Sequence, residues 1–252
     1  MRLLLGIALS LGCWGTMAAA EKEAGVYEIR TYYAPQGRLD DLLARFRDHT
    51  VKLFEKHGIT NIGYWVPLDN PENKLVYVIA FPSREARDAS FKAFLDDPEW
   101  KEARAKSEAN GPIVTKMESV LMSATDYSPD IQPVAQDGRV FELRTYTASP
   151  GNLEHLNARF RDHTLKLFEK HGMTNIGYWV PLEGQTGAGS TLIYILAHKS
   201  VEAAKTSFDA FRQDPDWLAA RKASEEKAGG SLTVPDGVKS VFMQATDFSP
   251  FK

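Results

Sequence analysis

Residues 26–68 read VYEIRTYYAPQGRLDDLLARFRDHTVKLFEKHGITNIGYWVPL, and residues 140–182 answer with VFELRTYTASPGNLEHLNARFRDHTLKLFEKHGMTNIGYWVPL. The two copies run at an offset of 114, which grows to 117 after the loop DNPENK and to 121 before MESVLMSATDYSP and its counterpart VKSVFMQATDFSP. Self-similarity at this length is the signature of a duplicated structural unit, with insertions confined to loops. The units cover about 25–129 and 139–250, joined by a linker over 130–138 within the Pro- and Gln-containing stretch PDIQPVAQDG.

Each copy has the pattern β-α-β-β-α-β. YEIRTYY alternates in the manner of a strand, and apolar positions 39, 42, 43, 46, 50, 53 and 54 follow helical spacing until Gly58 closes the turn after His57. NIGYWVPL and LVYVIAF are strands around a turn-rich loop. A second helix carries Ala86, Phe91 and Phe94 and restarts with Asp97 as N-cap and Pro98 in its first turn. MESVLMSA closes the unit as a strand. This order is that of an α+β, ferredoxin-like βαββαβ unit, whose helices cover one sheet face and leave the other in need of a partner. Two such units in one chain are expected to pair their sheets as an intrachain dimeric α/β barrel.

The amino terminus differs in character. Arg2, the apolar run LLLGIALSLG and the small-residue run Ala18–Ala20 before EKE form a signal peptide over residues 1–20. The expected location is therefore exported, periplasmic or extracellular, with no membrane span after processing. Cys13, the sole cysteine, follows Leu11-Gly12 and offers the alternative of a lipid anchor. Cleavage after Ala20 removes it and with it disulfide and thiol chemistry. A net charge near −3 gives no basic field for nucleic acid.

YEIRTYY…GYW…DPEW, repeated as FELRTYT…GYW…DPDW, resembles the NIPSNAP family within the dimeric α/β-barrel superfamily, across nearly the whole chain beyond residue 25. The resemblance implies the fold and the pairing of two tandem domains. Eukaryotic members are associated with mitochondria and with vesicle or autophagy traffic. Superfamily relatives include cofactor-free monooxygenases and haem proteins. No cofactor is expected here, and haem enters only by analogy of fold.

Between residues 44–68 and 158–182, 23 of 25 positions are identical, against 13 of 26 between 75–100 and 192–217. The first helix and the strand after it are thus the more constrained part, through packing or through a site. Within RFRDHT, successive helical residues point about 100° apart, so Arg47, Asp48 and His49 cannot converge on one atom. His49 and His163 are read as boundary residues, with Arg47 and Asp48 on a solvated face. His57 and His171 lie at helix carboxyl ends, suited to the last carbonyls and the dipole. No metal is expected: His49 and His57 lie roughly 12 Å apart along one helix, too far to share an ion. Trp100 and Trp217 read as core plugs.

The first strand holds the main site candidates. Glu28, Arg30 and Tyr32 share one face, repeated as Glu142, Arg144 and Tyr146, while Tyr27, Ile29 and Thr31 share the other. If the apolar set meets the helices, the polar set faces the barrel interior. Asn61 and Trp65, with Asn175 and Trp179, are expected to share a face of the next strand. Two readings stand: internal salt bridges that fix the register of the sheets, or a polar pocket with aromatic walls. The leading function is binding of a small anionic or aromatic molecule in the barrel interior. The alternatives are a cofactor-free oxygenase or isomerase with His49, His57 or Tyr32 as acid–base groups, and an interaction module with a filled barrel. Further association into homo-oligomers is left open.

Overall fold

In the computed structural model of the chain, residues 25–131 and 138–252 are described; the expected signal peptide, Cys13 and most of the linker lie outside them. Eight strands form one closed barrel: β1 (Val26–Tyr33), β2 (Thr60–Pro67), β3 (Lys74–Phe81) and β4 (Lys116–Ala124) from the first unit, β5 (Val140–Ala148), β6 (Thr174–Pro181), β7 (Thr191–His198) and β8 (Thr233–Ala245) from the second. The cyclic order is β1-β3-β2-β8-β5-β7-β6-β4. Both seams, β2 with β8 and β4 with β6, join one unit to the other, so each unit supplies the sheet edges the other lacks. Outside the barrel lie α1 (Leu39–Arg45), α2 (Val51–Lys56), α3 (Arg84–Asp96) and α4 (Pro98–Ser107), matched by α5 (Leu153–Arg159), α6 (Leu165–Lys170), α7 (Val201–Gln213) and α8 (Pro215–Ala228). None is long and apolar enough to cross a membrane.

Local chemistry explains the helix starts. Ser83 Oγ accepts the Ala86 amide (3.1 Å) and Asp97 Oδ1 accepts the Glu99 amide (2.8 Å), with Pro98 in the first turn. Ser200 and Asp214 do the same in the second unit. The helix carrying RFRDHT departs from expectation: Phe46–Thr50 and Phe160–Thr164 are π-helical turns between α1 and α2 and between α5 and α6. The extra residue per turn rotates Arg45 into the buried layer, five positions before Thr50, whose hydroxyl bonds the Arg45 carbonyl at 3.1 Å. Such π-bulges recur at functional sites because they re-aim side chains that an α-helix would place elsewhere.

The chain that follows the last strand of each unit crosses to the other. Thr246 and Ser249 bond both backbone groups of Tyr64 (3.0 and 2.9 Å), and Phe248 packs on Phe46 and Tyr64. Thr125, Tyr127 and Ser128 do the same at Tyr178. Arg47 donates to both oxygens of Asp247, and Arg161 to both oxygens of Asp126. Arg47, expected on a solvated face, thus bridges the two units.

The barrel interior is filled. Trp65, Val76, Val78 and Met122 interlock with Phe141, Trp179, Ile193, Ile195 and Met243, and the aromatic contacts Tyr27–Trp179 (5.8 Å) and Trp65–Phe141 (5.6 Å) join the units. Gly63 and Gly177 explain the Gly-Tyr-Trp strand. Trp65 folds back over Gly63, and a Cβ there would stand 2.2 Å from the indole; at Gly177 it would stand 2.6 Å from Trp179.

Candidate functional site

Strand alternation does place Glu28, Arg30 and Tyr32 on one face of β1, but that face meets the helices. Tyr27 and Ile29 point into the barrel. The expected interior pocket is therefore overturned: the polar residues lie between sheet and helices, and apolar side chains fill the interior. What makes charge tolerable under the helices is a set of partners. Glu28, 0% exposed, accepts from Arg30 Nε at 2.7 Å and from Arg87 of α3 at 3.0 and 3.1 Å. Arg30 also lies over the Phe91 ring at 4.2 Å and donates to Tyr32. In the second unit Ala204 replaces Arg87 and His198 replaces Phe81. Glu142 is held there by Arg144, by His198 Nε2 at 3.0 Å and by Ser240. Burial alone raises the Glu142 carboxyl pKa, but these three partners outweigh it and hold the group below its ordinary range. For Arg30 and Arg144 burial opposes the charge, and the neighbouring Tyr and Glu oxygens more than restore it.

The remaining predicted site residues separate. Trp65 and Trp179 are sealed inside the barrel, away from Arg30 and Arg144. Asn61 and Trp65 do not share a face, because a β-bulge between Asn61 and Gly63 resets the alternation. Asn61 instead donates to the Val51 carbonyl (3.1 Å) and Glu55 (3.2 Å) and accepts from the Tyr64 hydroxyl; Asn175 repeats this with Leu165, Glu169 and Tyr178. His49 and His163 are exposed. His57 Nε2 lies 2.6 Å from Asp97 Oδ2, and His171 Nε2 lies 2.7 Å from Asp214 Oδ2, tying the end of one helix to the N-cap of another. Among the described residues, no group of three or more His, Cys, Asp or Glu is placed to hold a metal.

A cavity opens on the helix side of the sheet in each unit. In the first, of about 210 Å³, Arg30, Tyr32, Phe91, Arg45, Thr50 and Trp100 line the walls. In the second, of about 300 Å³, the equivalent Arg144, Tyr146, Phe208, Arg159, Thr164 and Trp217 do so. The sequence supplied Arg30 and Tyr32 and missed Arg45, Thr50 and Phe91. Arg45 lies in the most strongly repeated block, but the π-turn that aims it inward leaves no trace in apolar spacing. Trp100 is both plug and wall: it packs 4.4 Å from Phe94 and beneath the Arg45 guanidinium at 5.1 Å. No histidine or cysteine lines either cavity.

These features define a dimeric α/β barrel folded from one chain, with equivalent cavities outside the barrel wall. The chain belongs to the NIPSNAP family, whose profile matches residues 27–129 and 141–250. A NipSnap homolog from Dictyostelium discoideum is 22% identical over 216 residues, spanning 83% of this chain and 85% of that protein. Among solved structures, a Lactobacillus acidophilus protein provisionally named a monooxygenase is similar with a TM-score of 0.55 and 14% identity, covering 88% of this chain and 94% of that one. An anthrone oxidase-like protein is similar with a TM-score of 0.55 and 14% identity over 92% and 95% of the two chains. At such identity the likeness concerns the fold.

Proposed function

We propose that this NIPSNAP-family protein is exported and binds a small aromatic molecule in the cavities between its sheet and helices. The observation that carries the reading is recurrence. The same cavity appears twice, with a buried arginine, a tyrosine, a threonine, a phenylalanine and a tryptophan at equivalent positions. A few polar groups converging within aromatic walls is the usual make-up of a small-molecule site. Arg2, the apolar run after it and Ala18–Ala20 support export, with a lipid on Cys13 as the alternative; intact mass of the secreted protein distinguishes the two. Binding is tested with 2-naphthamide, a neutral two-ring probe, followed through tryptophan emission. Met117 and Val238, both exposed, sit at the two cavity mouths. Met117→Trp with Val238→Trp should abolish binding; unchanged binding, or none to the parent, overturns the reading.

A second reading is cofactor-free oxidation of the bound aromatic, favoured by the likeness to proteins named for oxygen chemistry. Of the acid–base groups considered from sequence, Tyr32 and its counterpart Tyr146 are in the cavities, and both hydroxyls accept from the neighbouring arginine (3.2 and 3.0 Å). Oxygen uptake with an anthrone substrate, lost in Tyr32→Phe/Tyr146→Phe, is the result this reading requires.

A further inference from the structure

The two cavities differ in how their second arginine is neutralised. In the first unit Arg45 Nη1 donates to Glu108 Oε1 at 2.8 Å and to Ser107 Oγ at 3.3 Å. In the second, the Arg159 guanidinium makes no hydrogen bond among the described residues. Its Nε and Nη1 are buried without a partner, and Glu225, the counterpart of Glu108, stands 3.8 Å away. Arg159 is 7% exposed and lies over the Trp217 ring at 5.0 Å. An arginine this deep normally has its donors satisfied, because each unmet one carries a desolvation cost. Burial lowers the Arg159 pKa, and Glu225 only partly offsets this.

The difference originates in helix length. The first-unit helix α4 ends at Ser107, before Asn110-Gly111-Pro112, and Arg38 holds its end by donating to the Ser107 and Asn110 carbonyls at 3.1 and 3.0 Å. In the second unit Asn152 replaces Arg38, and the sequence reads EEKAGG where the first reads EANGP. The helix therefore continues to Ala228 before its Gly229 cap. Glu225 remains within the helix, bonded to Arg221 at 3.1 Å, and stands at ion-pair distance from Arg159, 3.8 Å, without a hydrogen bond to it. Arg212 replaces Leu95 on the cavity wall and adds positive charge.

We infer that the duplication has produced two different pockets: the second takes an aromatic carboxylate, its carboxylate received by Arg159 over Trp217, and the first takes neutral aromatic molecules. This assignment rests on the binding reading above. A carboxylate of one or two rings suits a cavity of about 300 Å³. It meets two donors without a hydrogen bond, Nε and Nη1 of Arg159, with Glu225 only at ion-pair distance. In the first cavity Arg45 Nε is also unpaired, but Nη1 is taken by Glu108, which the same anion has to displace.

The test compares 2-naphthoate with 2-naphthamide on the full chain by calorimetry, in the parent and in Arg159→Met, Arg45→Met and Glu225→Gln. The expected result is one naphthoate site per chain, at least about tenfold tighter than the amide in the second pocket, as one added charge-assisted contact supplies. Arg159→Met should erase that preference while amide binding persists, and Arg45→Met should leave it. Glu225→Gln removes the competing carboxylate and should tighten naphthoate severalfold, a gain that a purely structural role for Arg159 does not produce and that guards against misfolding of Arg159→Met. Equal binding of both probes, insensitive to position 159, overturns the assignment while the binding reading stands. Binding of neither probe overturns both.

Discussion

Gly63→Ala is the sharpest structural perturbation available. The added Cβ would lie 2.2 and 2.3 Å from Cη2 and Cζ2 of Trp65, whereas ordinary contact begins near 3.4 Å. The ring must move by about 1 Å, since dispersion contacts turn steeply repulsive inside that distance. Trp65 has nowhere to go: it is 0% exposed and packs against Phe141 of the other unit. Overpacking of a filled core costs typically about 1–3 kcal/mol, and this clash belongs at the upper end, about 3 kcal/mol. For a chain of this size that is a fall of roughly 6–12 °C in melting temperature. Gly177→Ala, with its nearest contact at 2.6 Å, should cost about 2 kcal/mol. Calorimetric melts of the two variants check both values. A Gly63→Ala protein melting within about 2 °C of the parent would refute the claim that the interior is filled and that Trp65 is pinned there.

Asn61→Ala removes the acceptor of the Tyr64 hydroxyl and the donor to the Val51 carbonyl, so urea unfolding should show a loss of about 1–3 kcal/mol. Arg47→Ala, by contrast, breaks an ion pair whose side chains are 43% and 61% exposed, and the coupling with Asp247 in a double-mutant cycle should stay below about 1 kcal/mol and shrink with salt. Asp97 and Asp214 are held well below the usual carboxylate range, by Lys56 and Lys170 first and by His57 and His171 second. A depressed carboxylate contributes stability that is complete above its unfolded pKa near ~4 and is lost as pH falls below that toward the folded value. Melts between neutral pH and pH 2 should therefore drop below about pH 4, and Asp97→Asn/Asp214→Asn should flatten that drop.

Much of the architecture was legible because the repeat aligned each element with its copy. The caps at Asp97 and Asp214 and the unpartnered sheet face followed from short-range rules about amide satisfaction and burial. The face of β1 was not legible by polarity alone. Glu28 and Arg30 look misplaced under a helix until Arg87, from a helix 59 residues away, completes their pairing. Asn61 and Trp65 were separated by a bulge, and Arg45 was brought inward by a π-turn. Both are one-residue irregularities that periodicity passes over. The candidate cavities therefore lie on the other side of the sheet from the expected one, with Arg30, Tyr32 and their counterparts among their walls. His49, His57 and the interior tryptophans do not line them.

The most direct test is a crystal structure of the protein grown with saturating 2-naphthoate. The account predicts ordered ligand between α8 and the sheet, its carboxylate on Arg159 and its rings against Trp217 and Phe208. Ligand inside the barrel between Trp65 and Trp179, or a second cavity left empty at saturation, would contradict it.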